Sequence, residues 1–350
     1  MVTRSERVGR LRATGVTVSV VALAVAACGS DETGAESGGD AVPVAASTDV
    51  WGSVLDAVGG EHVEVTSIIT DPALDLHSYE STPEDGLIIA ESRLLLYNGG
   101  GYDHFAEQFV EQEDGVVAVD ALEVSGHAPD EEDGEEHEDG HEDDGEHEDD
   151  GEHGEDGQEH EDEHGDDEGG HHHDLRVNEH VFYDLETVRT VAETVADELG
   201  ELRPANREEF AENAAAFGAE LDELAGQAAE LGEAHPDLTV LATEPVAEYL
   251  LDLAGAEDIT PTEFTDAIET QSDVPAAVQD EVLTALESGD IDVVINNPQT
   301  ESPVTRQLVT EAESAGIPVV DMTETLPDGV SDYAEWISNQ LDTLATAVEE

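Results

Sequence analysis

Apolar residues along this 350-residue chain fall into short buried runs that alternate with stretches of helical spacing. VPVAAST (residues 42–48) is strand-like, and VWGSVLDAV (Val50 to Val58) carries the spacing of an amphipathic helix. HVEVTSII alternates apolar and polar positions as a half-buried strand does. TPEDGLIIAES predicts a helix opened by Thr82 and Pro83, because a hydroxyl can cap the first turn and proline is tolerated there. RLLLYNGG reads as a buried strand stopped by glycines, DHFAEQFVEQ as a helix and GVVAVDAL as a strand. The period breaks from Ala128 to His173. Two long helical stretches follow, Leu185 to Leu199 and Asn206 to Leu231, the second with Phe210, Phe217, Leu221, Leu224 and Leu231 near helical spacing. Beyond them LTVLATE, IDVVINN and IPVVDM read as strands, and PVAEYLLDLAG, AAVQDEVLTALESG, SPVTRQLVTEAESAG and DYAEWISNQLDTLATAVEE as helices.

Repeated β-α-β order places neighbouring strands parallel, with helices over their faces. The expected fold class is α/β: two lobes, each a mainly parallel sheet covered by helices, joined by a long rigid linker helix. The N-terminal lobe is expected over residues 41–205, the linker helix over 206–234 and the C-terminal lobe over 235–350. The cleft between such lobes is the default place for a ligand.

Charge narrows the choice of partners. The chain holds 89 acidic residues against 10 basic ones, all of them arginine, for a formal net charge of -79. Nucleic acid is excluded as a partner, and anionic membrane surfaces are disfavoured. Residues 128–174 hold 26 acids and no arginine, yet the remainder still sets 63 acids against its 10 arginines, so the acidity is global.

The first thirty residues differ from all that follows. Arg4, Arg7, Arg10 and Arg12 precede the apolar run VTVSVVALAVAA and then the single cysteine, Cys28, which is the order of a secretory signal peptide over residues 1–27. The apolar run is short for a membrane span. VAAC resembles a bacterial lipobox, in which Cys28 becomes the lipid-bearing first residue and residues 28–40 a polar tether. One cysteine allows no disulfide within the chain.

Within the expected N-terminal lobe, in an acidic histidine-rich loop over residues 128–173, lies HEDGHEDDGEHEDD, which contains a zinc-protease signature at His137 to His141; a second copy runs from His160 to His164. That chemistry requires a packed helix with both histidines on one face, and neither glycine-punctuated acidic run has apolar residues with which to pack. What remains is metal binding without fixed geometry. His137, His141, His147, His153, His160, His164, His171, His172 and His173, interleaved with carboxylates, suit zinc, nickel or copper better than magnesium. An acidic spacer is the alternative, but acidity alone does not call for histidine.

Outside residues 127–173 there are five histidines. His62 and His235 read as surface residues at turns, and His104 starts a helix with a surface or capping role. His77 stands apart, because DPALDLHSYESTPEDG connects a strand to a helix at the carboxyl end of the strand, where α/β proteins build their sites.

At STDVWGSVLDAVGGEHVEVTSIITDPALDLHSYESTPED, and again at RLLLYNGGGYDHF, NEHVFYDLETV and PVVDMTETLPDG, the chain resembles the solute-binding proteins of zinc and manganese ABC importers. The likeness covers essentially everything from Ala41 onward, and long acidic histidine-rich insertions at this place resemble those of the zinc-specific branch. That resemblance implies a metal held between the lobes by four side chains. His77 corresponds to the first, in a loop whose approach is slightly longer than the family's but whose His-x-Tyr-Glu core is intact. His180, in HVFYDL, corresponds to the second. Glu244, in VLATEPVAEYL, takes the third position, commonly His in zinc binders and Glu in manganese binders. Glu324, in VVDMTETLP, takes the fourth by spacing, with Asp321 as the competing choice. Taken singly, Glu244 beside Pro245 could cap a helix and Glu324 could be a solvated loop residue.

Two imidazoles and two carboxylates neutralise a divalent cation. Carboxylates bound through both oxygens would raise the coordination number to six, which tolerates manganese, whereas single-oxygen binding gives a tetrahedral set suited to zinc. Affinity order places zinc first, with manganese the alternative. The resemblance further implies no enzymatic activity. It implies a monomeric receptor, lipid-anchored on the extracytoplasmic face of the cell membrane, that delivers its ion to an ABC permease. A surface metal-buffer or adhesin lipoprotein is the rival class, and a metallohydrolase would need an open metal position with a base beside it.

A surface this acidic repels itself at low salt, and at about 1 M salt the screening length falls to roughly 3 Å. The melting temperature is therefore expected to rise with added salt, as in a protein from a salt-loving organism; a melting temperature indifferent to salt contradicts this.

Overall fold

The structure, a computed structural model, describes residues 41–110, 112, 115–127 and 177–349. The export signal, Cys28 with its tether, and the histidines from His137 to His173 lie outside the described residues.

The first lobe alternates strand and helix: β1 (Val42–Thr48), α1 (Asp49–Gly59), β2 (Val63–Ile69), α2 (Pro83–Glu91), β3 (Leu94–Tyr97), α3 (His104–Val110), β4 (Val117–Asp120) and α4 (Ala121–Ser125). Its four strands are parallel in the order β2-β1-β3-β4. Helix α2 starts where Thr82 and Pro83 direct it, with Thr82 and Asp85 forming a capping box. GVVAVDAL is only partly a strand. The Asp120 carboxylate accepts the backbone N–H of Glu123 at 2.9 Å, which ends β4 and turns Ala121 onward into α4.

Helix α5 (Leu185–Leu202) packs on this sheet through Val188, Val191, Ala192 and Val195. Then α6 (Arg207–Ala234) runs for 28 residues, about 42 Å at 1.5 Å per residue, burying Phe210, Phe217, Leu221, Leu224 and Leu231 against the core.

The second lobe repeats the plan with β5 (Thr239–Ala242), α7 (Glu248–Leu253), β6 (Glu257–Asp258), α8 (Thr262–Glu269), α9 (Ala276–Ser288), β7 (Val293–Asn296), α10 (Pro303–Ala315), β8 (Val319–Asp321) and α11 (Tyr333–Glu349). Its strands are also all parallel, in the matching order β6-β5-β7-β8. Strand β6 and helix α8 escape a pattern-based reading, because β6 is two exposed acidic residues with no apolar alternation. Helix α11 returns to the first lobe: the Tyr333 N–H donates to Ser53 Oγ at 2.8 Å, and the Tyr333 hydroxyl to the Phe182 carbonyl at 2.7 Å. One continuous apolar core joins the first sheet, α5, α6, α11 and the near face of the second sheet, while a smaller core around Phe264, Val278, Val282 and Leu308 backs the far face.

In each sheet the chain leaves the first strand to one side and returns on the other, so the gap between β1 and β3, and between β5 and β7, is a topological switch point. Polar side chains beyond those strand ends face the cleft. Gly99, Gly100 and Gly101, with φ of 82°, 69° and 92°, reverse the chain directly after β3 and bring Tyr102 into that cleft.

Candidate metal centre

Each expected ligand sits beyond a strand end or in a tight turn. His77 lies in a single 3-10 turn after β2, and Asp75 Oδ1 accepts its backbone N–H at 3.0 Å. Glu244 follows β5 and Glu324 follows β8; both are fully buried. His180, also fully buried, sits just ahead of α5.

The structure brings His77, His180 and Glu324 together: one ligand atom from each lies within 4.8 Å of the others. His77 Nε2 is 4.0 Å from Glu324 Oε1, and the two imidazole rings are 5.9 Å apart and nearly perpendicular. Glu244 adjoins this trio through Asn297, whose Nδ2 donates to Glu244 Oε1 and, at 2.5 Å, to Glu324 Oε1. Glu244 Oε2 is buried without a hydrogen bond of normal geometry, although the Thr300 hydroxyl lies near enough to favour its charged form. Asp321, the competing fourth ligand, ends β8 exposed and accepts Asn296 Nδ2 at 2.7 Å, outside the cluster. The remaining described histidines lie elsewhere: His62 pairs with Glu209 at 2.8 Å, His104 with Glu107 at 3.1 Å and His127 with Asp184 at 3.0 Å, while His235 caps the end of α6.

Both imidazoles have their tautomers set by neighbours. Asn178 Nδ2 donates to the Pro245 carbonyl and to Glu248 Oε2, each at 2.8 Å, so its Oδ1 is the atom that accepts His180 Nδ1–H at 2.8 Å. With the hydrogen on Nδ1, Nε2 is the nitrogen of His180 able to act as a metal ligand. His77 Nδ1 lies 3.2 Å from Glu179 Oε1, which likewise turns Nε2 towards Glu324. Tyr102 donates its hydroxyl to Glu324 Oε2 at 2.7 Å, and burial together with the charge of Glu324 holds this phenol well above its usual range, so it stays a donor.

Several supporting residues have no signature of their own. Asn178 and Glu179 are neighbours of a candidate histidine, and Tyr102 and Asn297 stand just past the carboxyl ends of β3 and β7. Strand-end position is the one signal that could have marked the last two. Gln299 ties the cleft across lobes: it accepts the Glu324 N–H at 2.6 Å and donates to the Leu74 carbonyl at 2.9 Å.

So much acid in a dry cleft distorts protonation. Burial alone would depress the His77 imidazole, but its hydrogen bond to Glu179 and the charges of Glu324, Glu179 and Glu244 outweigh burial and push it up to about 10. Burial, reinforced by the charge of Glu324, raises Glu244 to about 8. Burial and the charge of Glu179 raise Glu269, on the cleft wall, to about 8 as well. A divalent cation would displace these protons and supply the missing positive charge.

A pair of parallel α/β lobes joined by one long helix, with its buried polar residues gathered where the strand ends meet, is the architecture of a two-lobe solute-binding protein. Residues 44–347 match the family described as ZnuA, zinc-uptake complex component A, periplasmic, and this chain belongs to that family. Members are substrate-binding components of ABC importers, not enzymes. A curated relative, the manganese-binding lipoprotein MntA of Halalkalibacterium halodurans, is 24% identical over 208 residues; the match spans 59% of this chain and 55% of the relative, about half its length. Among solved structures, the periplasmic zinc-binding protein TroA of Treponema pallidum superposes with a TM-score of 0.64 at 15% identity, covering 88% of this chain and 99% of TroA. The FpvC solute-binding protein of Pseudomonas aeruginosa, solved with Mn2+, gives 0.62 at 20% identity over 88% and 98%. At such identities these two likenesses establish the fold.

The shifted groups set a pH dependence. Folded and metal-free, His77, Glu244 and Glu269 keep protons that the unfolded chain releases near 6.5, 4.5 and 4.5, so the folded state binds more protons between those values and about 10. Stability of the chelated protein should therefore fall as pH rises from about 5 to about 9, less steeply in Glu244→Gln, and saturating zinc should flatten or reverse the slope. Thermal melts with and without chelator check this; a chelated protein that gains stability across the range contradicts it.

Proposed function

We propose that this protein is an extracytoplasmic receptor that captures one divalent metal ion between its lobes and delivers it to an ABC permease. His77 and His180 are its nitrogen ligands, Glu244 and Glu324 its oxygen ligands, and zinc is the ion, with manganese the alternative. The carrying observation is the convergence of two imidazoles with buried carboxylates from separate turns of both lobes.

Two neutral imidazoles and two carboxylates balance a 2+ charge, and nitrogen donors suit zinc better than magnesium or calcium. In favour of zinc are the divalent affinity order, the histidine-rich segment and the family's description as a zinc-uptake component. In favour of manganese are a glutamate at position 244 and the manganese-binding name of the curated relative. Helix α6 spans the lobes as a stiff spine, so closure consists of a small tilt and loop movement.

The protein acts as a monomer held to the membrane through lipid on Cys28, with the signal over residues 1–27 removed. The histidine-rich segment raises the local concentration of metal and passes ions inward, as a tethered ligand raises effective concentration.

His77→Ala combined with His180→Ala should weaken zinc binding by more than the roughly 100-fold that loss of a supporting contact costs. Deletion of residues 128–173 should leave the tight site intact and slow uptake only when metal is scarce. Isothermal titration on both forms checks the division of labour; tight binding kept by the double variant, or lost with the deletion, contradicts it.

A further inference from the structure

Asn297 is fully buried and stands immediately after β7, at the edge of the switch point of the second sheet. Its backbone N–H and its whole side-chain amide are committed. Its backbone N–H donates to Thr243 Oγ1 at 2.9 Å, next to Glu244 in sequence, and its Oδ1 accepts the Gln299 N–H at 2.9 Å. With Oδ1 so fixed, the amide nitrogen must face the two carboxylates, and its two hydrogens match two acceptors: Glu244 Oε1 and Glu324 Oε1, the latter at 2.5 Å.

The residue type fits this place. An arginine or lysine would neutralise the carboxylates and repel a cation, and an ionised carboxylate would add a third negative charge with nothing to donate. An amide joins two like charges while contributing no net charge of its own.

The joining has a consequence for coordination. Glu324 has both oxygens hydrogen-bonded, Oε1 to Asn297 and Oε2 to the Tyr102 hydroxyl at 2.7 Å. Glu244 has Oε1 held by Asn297, and only Oε2 without a partner of normal geometry. A hydrogen-bonded carboxylate oxygen still has a second lone pair for an ion, but the hydrogen bonds of Asn297 pin the Oε1 edges of both carboxylates to one amide and so fix their rotation. Turning either one to face an ion with both oxygens stretches or breaks a bond to Asn297. Resting on the metal-site reading above, we infer that Asn297 is a specificity-determining positioning residue. Its double hydrogen bond holds Glu244 and Glu324 to single-oxygen coordination, so the cleft favours a four-coordinate zinc ion over manganese, which prefers six ligands.

The test compares the wild-type chain with Asn297→Leu, close in volume and without donors. Zinc and manganese affinities are measured by competition titration, and the cobalt(II)-loaded proteins are compared by visible absorption, which is intense for four-coordinate cobalt and weak at higher coordination. The expected result is a zinc-to-manganese affinity ratio lowered by at least about tenfold, the lower end of the effect of losing a contact behind a metal ligand, with a loss of cobalt band intensity. An unchanged ratio and unchanged bands overturn the inference, whether both affinities hold or fall together. If Asn297→Leu does not fold, Asn297→Ser, smaller and with a single donor, takes its place with the same expectations. Failure of the site reading itself looks different: the wild-type chain would bind neither ion in a manner sensitive to His77→Ala, which removes the inference along with its basis.

Discussion

Glu244 and Glu324 are buried side by side; among the described residues no arginine stands beside them, and the neighbouring positive charge is that of the protonated His77 imidazole, 4.0 Å from Glu324, so the rest of the cleft is arranged around that cost. The chain contains no lysine. Of the five described arginines, Arg189 is committed to Asp222, Arg207 to Glu201, Arg306 to Glu301 and Arg203 to Asn206, while Arg93 is exposed. Burying an unpaired carboxylate is expensive, and the group responds by holding a proton unless a cation arrives. The upward shifts of Glu244, Glu269 and His77 are that response. The metal-free cleft is thus a protonated form of a site whose charge balance calls for a divalent ion.

The fold supplies this arrangement by repeating one plan twice. Two parallel sheets with the same strand order offer two switch points, and their strand ends meet across the cleft. Helix α6 and the returning α11 tie the lobes through a common core. Three amide side chains then cross between loops. Asn178 holds the His180 ring while grasping Pro245 and Glu248, Gln299 links Glu324 to Leu74, and Gln271 Nε2 donates to Asp75 at 2.9 Å near His77. Ligand orientation and lobe contact therefore share the same hydrogen bonds.

Much of this was legible in the chain, and what was not has physical reasons. Alternating strand and helix periods announced two parallel-sheet lobes because buried strands and amphipathic helices have different apolar spacing. Thr82-Pro83 marked the start of α2 for the same reason that it caps it. The apolar pattern does not mark the end of β4, since Ala121 and Leu122 are buried whether strand or helix, and the Asp120 cap decides between them. Two acidic residues at an edge gave no sign of β6. His77 could be singled out by its place beyond a strand, whereas His180 and Glu324 needed the family likeness. Asn178, Glu179, Tyr102 and Asn297 act through partners far away in sequence, and no local period records such contacts.

The most direct measurement is anomalous diffraction at the zinc absorption edge from crystals of the zinc-loaded protein. A single strong peak is expected in the cleft, about 2.0–2.2 Å from nitrogens of His77 and His180 and from oxygens of Glu244 and Glu324. A strong peak elsewhere, with none inside the coordination distance of these four side chains, would contradict the account.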